Sequence, residues 1–239
     1  EKYSTPLIVI DEKLVRSNCK IYIEAFNFGD GINKVAYAGK AFLPLAMCRI
    51  VNEEKLCLDV VSGGELYTAL QSGFPSDKIY FHGNNKTLDE IEMGVENNVG
   101  RFVVDNLDEL DEINEVAKMN SKIQKVILRI TPGIEAHTHE YIKTGQLDSK
   151  FGFNLIGDIT MKAVQKATTL SNIKFIGLHC HIGSQIFEIE PFEDEVDIML
   201  NLVKDIKEKL GIQVEELDLG GGFGIYYVEG DKPRKIEEI

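Results

Sequence analysis

Seven short β-branched runs recur along the chain with helix-patterned stretches between them, which confines the fold to architectures built from repeated βα units. The runs are 34–38, 56–61, 79–82, 101–104, 125–130, 173–179 and 214–219. The clearest intervening helix carries Phe192, Val196, Met199, Leu200, Val203, Ile206 and Leu210 at helical spacing and stops at Gly211, which suits the left-handed position after a helix. Seven units in series favour a closed barrel over two domains, but a doubly wound sheet also alternates strand and helix. The placement of unusual residues separates the two. Lys40, Ser62-Gly63-Gly64, Gly83-Asn84-Asn85, Asp105, Pro132-Gly133, His181 and residues 220–222 all fall at or just past the C-terminal end of a run. A barrel gathers all such ends on the one rim where active sites are built, whereas a doubly wound sheet gathers only those beside its switch point.

The expected fold is therefore α/β, a (β/α)8 TIM barrel that is incomplete because its eighth strand is absent. Residues 1–28 are expected to form an N-terminal strand and helix leading into the barrel, and residues 29–239 the truncated barrel domain. The strand expected over 5–10 has no partner among the seven runs and is expected to pair elsewhere. The connection 131–150, with His137, His139 and Gly145, is longer than a usual βα loop, as a lid or a mobile excursion would be.

Composition narrows the partners. With 26 Lys+Arg against 39 Asp+Glu the net charge is −13, which opposes nucleic acid and membrane surfaces over the chain as a whole while leaving room for a local anion pocket. No apolar run approaches the ~20 residues of a membrane span, and the first residues lack a secretory pattern, so a cytoplasmic protein is expected. Four scattered cysteines without a Cys-x-x-Cys pair indicate reduced thiols and no zinc knuckle. The chain lacks an initiator methionine and ends in a helix-like stretch, and it reads as a piece of a longer protein.

Three constellations carry chemistry. In 217–224 (LDLGGGFG) glycines leave a strand and expose amides able to surround a phosphate, although neither a dinucleotide nor a Walker spacing is present; a tight strand-ending turn is the plain alternative. In 177–185 (GLHCHIGSQ) alternation puts His179 and His181 on the same side of a strand, expected to point inward near the rim, with Ser184 as a second phosphate donor. A metal site of the amidohydrolase kind needs further ligands, and the other histidines are His82, His137 and His139. Lys40, in an almost uncharged strand end, is a candidate reactive amine, since desolvation favours the neutral form that condenses with aldehydes; a rim lysine reaching into water is the alternative. Arg129 faces the same choice between an inward cation and a surface residue. The acidic runs 108–115 and 188–197 are simplest as solvated helix faces.

Taken in order, YAGKAF around Lys40, LDVVSGGEL around Asp59, FHGNNKT, LRITP around Arg129, THEYIKTGQLDSKFGF, GLHCHIGSQI and LDLGGGFGIYY resemble the diaminopimelate decarboxylases, within the alanine-racemase-like group of pyridoxal-phosphate enzymes. The resemblance implies a carboxy-lyase of lysine biosynthesis that converts meso-2,6-diaminopimelate to L-lysine and CO2. It implies Lys40 and His181 as catalytic residues, with Lys40 condensing with pyridoxal 5′-phosphate and His181 stacking on its ring. Ser184, Gly221 and Gly222 would contact the phosphate, Asp59 and Arg129 would line the cofactor site, and no metal would take part.

The family lysine motif usually reads YAVKAN, whereas Gly39 and Phe42 stand here. A Glu-Pro-Gly-Arg motif on the eighth strand and a C-terminal β-domain that completes the site across a homodimer interface are not in this chain. These 239 residues alone are accordingly expected to be inactive. Ornithine, arginine and carboxynorspermidine decarboxylases share Lys40, His181 and the glycines and form the nearest alternative. A non-catalytic barrel that binds the cofactor or a partner is an alternative of a different class, and a metal hydrolase is the third.

Overall fold

The computed structural model describes residues 3–28, 32–134 and 151–238. Its strands are β1 (Ala36–Ala38), β2 (Cys57–Val60), β3 (Ile79–Phe81), β4 (Arg101–Val104), β5 (Gln124–Thr131), β6 (Phe153–Asn154), β7 (Ile173–Cys180) and β8 (Glu216–Asp218). The helices are α1 (Glu12–Ala25), α2 (Leu45–Glu53), α3 (Gly63–Gln71), α4 (Leu88–Glu96), α5 (Leu107–Met119), α6 (Ile159–Thr169) and α7 (Glu190–Leu210). The strands run parallel in the order β1-β2-β3-β4-β5-β7-β8, and β6 joins β5 at Ile130 and Thr131, beyond the end of β4. Parallel order with a helix between most neighbours is the incomplete barrel that the alternation implies. Strands β1 and β8 are its two edges.

All seven expected runs contain a strand, and six of the strands are followed by a helix in the expected place or by a turn leading to it. Segment β6 is a pairing that the runs do not signal, because two residues are too few to show a period. Residues 6–10, expected to pair elsewhere, have no ladder partner among the described residues, and Leu7, Ile8, Val9 and Ile10 are exposed. An isolated extended segment has no backbone hydrogen bonds to stabilise it. The expectations that concern His137, His139, Gly145 and most of the THEYIKTGQLDSKFGF motif lie outside the described residues.

Period two explains the packing. Leu58, Val60, Phe81, Phe102, Val104, Leu128, Ile130 and Leu178 point outward and share one core with helix residues such as Leu66, Ile91, Leu110, Val164 and Ile206. Cys57, Tyr80, Val103, Ile127 and Ile176 form a separate cluster inside the barrel. Ile173 and Phe175 belong to the outer core, so strict alternation would turn His179 and His181 outward. A register shift opposite Val126 and Ile127 prevents this: it inserts Ile176 as an extra inward residue, after which Leu178 and Cys180 face out and His179 and His181 face in. Gly177 follows the bulge because β8 passes so close that any Cβ there would strike the Glu216 carbonyl.

Below this level Arg101 lies 3.1 Å from Glu216 and stacks 4.2 Å over the Tyr80 ring, while Lys34 also reaches Glu216 at 3.1 Å. The floor of the barrel is thus an ionic layer, and the chemistry-bearing groups are left to the opposite rim. Among the described residues no helix is long and apolar enough to cross a membrane.

Candidate active site

The rim is built from strand-end loops held by carboxylates. Glu65 accepts the Val61 amide at 2.8 Å, Glu90 the Gly63 amide at 2.6 Å and Glu109 the Asp105 amide at 3.0 Å, each from the first turn of a helix. Glu90 doubles as the partner of Thr87 in a capping box. Glu109 in turn accepts Lys86 Nζ at 2.6 Å, and Lys86 also donates to the carbonyls of Gly83 and Val103 at 2.8 Å each. Burial pulls the Lys86 amine down and pushes the Glu109 carboxyl up, and their mutual attraction opposes both changes. The acidic run 108–115 is therefore not simply a solvated face, because Glu109 is turned under the rim by its cation.

Lys40 stands in the 3-10 turn Gly39–Ala41 that follows β1 directly. It is exposed, so these residues do not supply the desolvation that a buried reactive amine would need. Gly39 is buried, and a Cβ there would come 2.6 Å from the Asp59 carbonyl, so the departure from the usual motif lets β1 end flush against β2. Phe42, the other departure, is largely exposed and closes the turn with its amide on the Gly39 carbonyl.

His181 leaves β7 pointing inward and sits on the glycine turn. Gly220 (φ +69) and Gly222 (φ +112) adopt left-handed backbone, and a Cβ at Gly220 would stand 3.1 Å from His181 Nδ1. The two loops are zipped together: the Ile186 amide donates to Gly222 at 2.9 Å, the Gly224 amide to Ile186 at 2.7 Å, and Gln185 brackets Ile225 through both side-chain atoms. Ser184 and Gly221 thereby lie on adjoining loops, and nothing stands within 4 Å of where a Gly221 side chain would begin. Burial, followed by the charges of His179, Lys40 and Arg129, pulls His181 down to about 4, against a hydrogen bond with Gly221. Lys40 follows the C-terminal end of β1 and His181 that of β7 in one parallel sheet, so amine, ring and glycine turn stand on one rim.

Arg129 points inward. It stacks 4.2 Å over Phe151 and lies 4.0 Å from Asp105, whose other oxygen accepts the Gly152 amide at 2.9 Å. Beneath the rim runs a polar layer. Asp59 Oδ1 is 3.6 Å from His82 Nε2, the rings of His82 and His179 meet edge to face at 4.8 Å, and His179 Nδ1 is 3.1 Å from Asp218 Oδ2. Asp218 Oδ1 accepts the Gly220 amide at 2.8 Å. The resemblance singles out Asp59 and the strand-end spacing singles out His179, but His82 and Asp218 carry no role in the sequence, since only curvature brings β3 toward β7. Among the described residues no group of three His, Cys, Asp or Glu side chains is arranged to hold a metal ion.

Behind β7, Glu195 of α7 is 1% exposed and accepts the Cys180 thiol at 2.9 Å, which corrects the expectation of a wholly solvated acidic run over 188–197. Burial first, and then Asp218, push Glu195 up to about 7 against the thiol hydrogen bond. A folded carboxyl with a raised pKa keeps its proton after the unfolded chain has released one, so stability falls as pH rises from the ordinary carboxyl range to about 7. The His181 imidazole, held low, acts with the opposite sign over much of the same window and masks this fall. Glu195→Gln is therefore expected to gain on the parent with rising pH, by on the order of 2–3 kcal/mol at pH 8 relative to pH 5. Parallel urea titrations at the two pH values check this, and an unchanged difference would show that Glu195 is ionised throughout.

The donors fit a phosphorylated aldehyde: an amine, a neutral ring, a cation and a turn with open amides in an otherwise acidic chain. Comparison with known proteins agrees. Residues 13–239 match the family of the pyridoxal-dependent decarboxylases, specifically their pyridoxal binding domain. Diaminopimelate decarboxylase of Halalkalibacterium halodurans is 49% identical over 98% of this chain and 53% of its own length, and that of Bacillus subtilis is 46% identical over 100% and 54%. The crystal structure of the M. jannaschii diaminopimelate decarboxylase with L-lysine superimposes with a TM-score of 0.91 at 41% identity, covering 99% of this chain and 55% of that one. The Helicobacter pylori enzyme complexed with L-lysine gives 0.86 at 30% identity, over 99% and 58%. The chain spans about half the length of these relatives.

Proposed function

The chain belongs to the pyridoxal-dependent decarboxylases as their pyridoxal-binding domain, and from that premise we propose that a protein carrying it converts meso-2,6-diaminopimelate to L-lysine and CO2. The observation that carries this reading is a lysine turn leaving the C-terminal end of β1 on the same rim where His181, leaving β7, rests against the glycine turn. The choice of substrate draws on the relatives, which are named for diaminopimelate and two of which hold L-lysine, the product of this reaction. The same reading carries a cytoplasmic homodimer serving lysine biosynthesis.

In this reading the Lys40 amine would hold pyridoxal 5′-phosphate. When bound, the cofactor would supply an electron sink for the loss of the α-carboxylate as CO2, the electron pair left on the α-carbon being taken up by a proton. The chain's residues bind and orient. Ser184, Gly221 and Gly222 hold the phosphate on unobstructed backbone. His181 lays an uncharged face on the ring, kept neutral by burial and by the cations around it. Arg129, steadied by Asp105 and Phe151, adds positive charge at the rim, and Asp59 lines the inner wall.

Borohydride reduction of the full-length protein loaded with pyridoxal phosphate, followed by peptide mapping, is expected to leave the pyridoxyl group on Lys40. A label on any other lysine would overturn the assignment. Release of CO2 from ornithine or arginine in preference to meso-diaminopimelate would overturn the substrate.

A further inference from the structure

The polar layer beneath the rim links the two sides of a barrel whose edge strands, among the described residues, do not pair. Asp59 lies on β2, to which β1 is fastened through three register pairs and through Gly39 packed on the Asp59 carbonyl. His82 follows β3 directly, His179 is on β7 and Asp218 on β8. The chain of contacts thus starts under Lys40 and ends at the amide of Gly220, next to the open glycine turn. We infer that Asp59, His82, His179 and Asp218 form a strut across the barrel that sets the span between the Lys40 amine and the phosphate cradle, with His82, His179 and Asp218 as positioning residues.

The physical case rests on burial and connectivity. His82 and His179 are 8% and 4% exposed, and His82 Nε2, His179 Nδ1 and Asp59 Oδ1 are buried without a hydrogen bond, so the carboxylates at 3.6 and 3.1 Å act on the two rings as close charges. Burial pushes Asp218 up, but His179 beside it, then His82 and the Gly220 amide, hold it well below the usual carboxylate range. Its charge therefore stays in place and joins the strut to the glycine turn. Pyridoxal phosphate has a rigid ring between aldehyde and phosphate, so the two anchor points must stand at one separation, and a fixed separation spares the cost of ordering them on binding. Beside this layer stand Arg129 of β5, in register with His179, and His181, which follows β7 directly.

This inference rests on the proposed cofactor site, and its test separates the two. His82→Phe keeps the ring contact but removes the nitrogen facing Asp59, and Asp218→Asn keeps an acceptor for Gly220 but removes the charge beside His179. Each is expected to weaken pyridoxal phosphate binding about tenfold or more, and the double variant no further than the worse single one. Unchanged affinity in a folded His82→Phe protein, with the borohydride label still on Lys40, would sink the strut and leave the site assignment standing. A label elsewhere would sink both.

Discussion

Replacing Lys86 by methionine is expected to cost about 3–5 kcal/mol of unfolding free energy, because it strands Glu109 under the rim without its cation. Lys86 makes three donations at 2.6–2.8 Å, to Glu109 and to two carbonyls, and its side chain is almost wholly removed from water. Methionine fills a similar volume, so lost packing is a minor part of the loss. The stranded carboxylate takes up a proton or draws in water, and either response loosens its hold on the Asp105 amide. Asp105 anchors Gly152 and faces Arg129, so the damage reaches the rim cation. Adding Glu109→Gln to the variant is expected to recover part of the loss, since an amide is less costly to bury than a lone charge. Urea unfolding of the four proteins in the cycle measures both effects. A single-variant loss below about 1 kcal/mol would mean that the pair is solvated and contributes little.

Gly222→Ala is expected to lower stability by about 2–4 kcal/mol and to weaken pyridoxal phosphate binding more than tenfold. At φ +112 the backbone is open to glycine and closed to alanine, and a Cβ there would run into the Gly183 carbonyl. Neither neighbour can yield: Gly183 is backbone, and the Gly222 carbonyl is tied to the Ile186 amide at 2.9 Å. Relief comes only by separating the two zipped loops, which moves Ser184 away from the glycine turn. Gly221→Ala is the matched control, because nothing stands within 4 Å of its Cβ position and its φ is not left-handed. It is expected to melt within a few degrees of the parent. Equal melting of both variants would refute the tight packing of the loops; Gly222→Ala affinity equal to that of the parent would refute their role in holding phosphate.

The βα alternation and the residues at strand ends were legible in the sequence because they depend on local periods and on glycine as punctuation. Lys40, His181 and the glycine turn needed no knowledge of distant contacts to be singled out. Their common rim follows once the units close into a barrel. Fates decided by long-range geometry were not legible. Glu109 and Glu195 sit in acidic runs that read as solvated, and only the docking of α5 over Lys86 and of α7 over Cys180 buries them. The inward turn of His179 and His181 was anticipated, yet it depends on a bulge after Phe175 that no alternation shows.

Sequence alone therefore determined the series of βα units and the strand ends at which unusual residues gather, and it singled out Lys40, His181 and the glycine turn as candidates, because these are set within a few residues by sterics and side-chain period. Tertiary structure alone decided which charges are withdrawn from water and how Asp59, His82, His179 and Asp218 meet across the barrel. The reason is that curvature of the sheet, summed over many weak strand-to-strand rotations, brings together side chains that no local pattern relates.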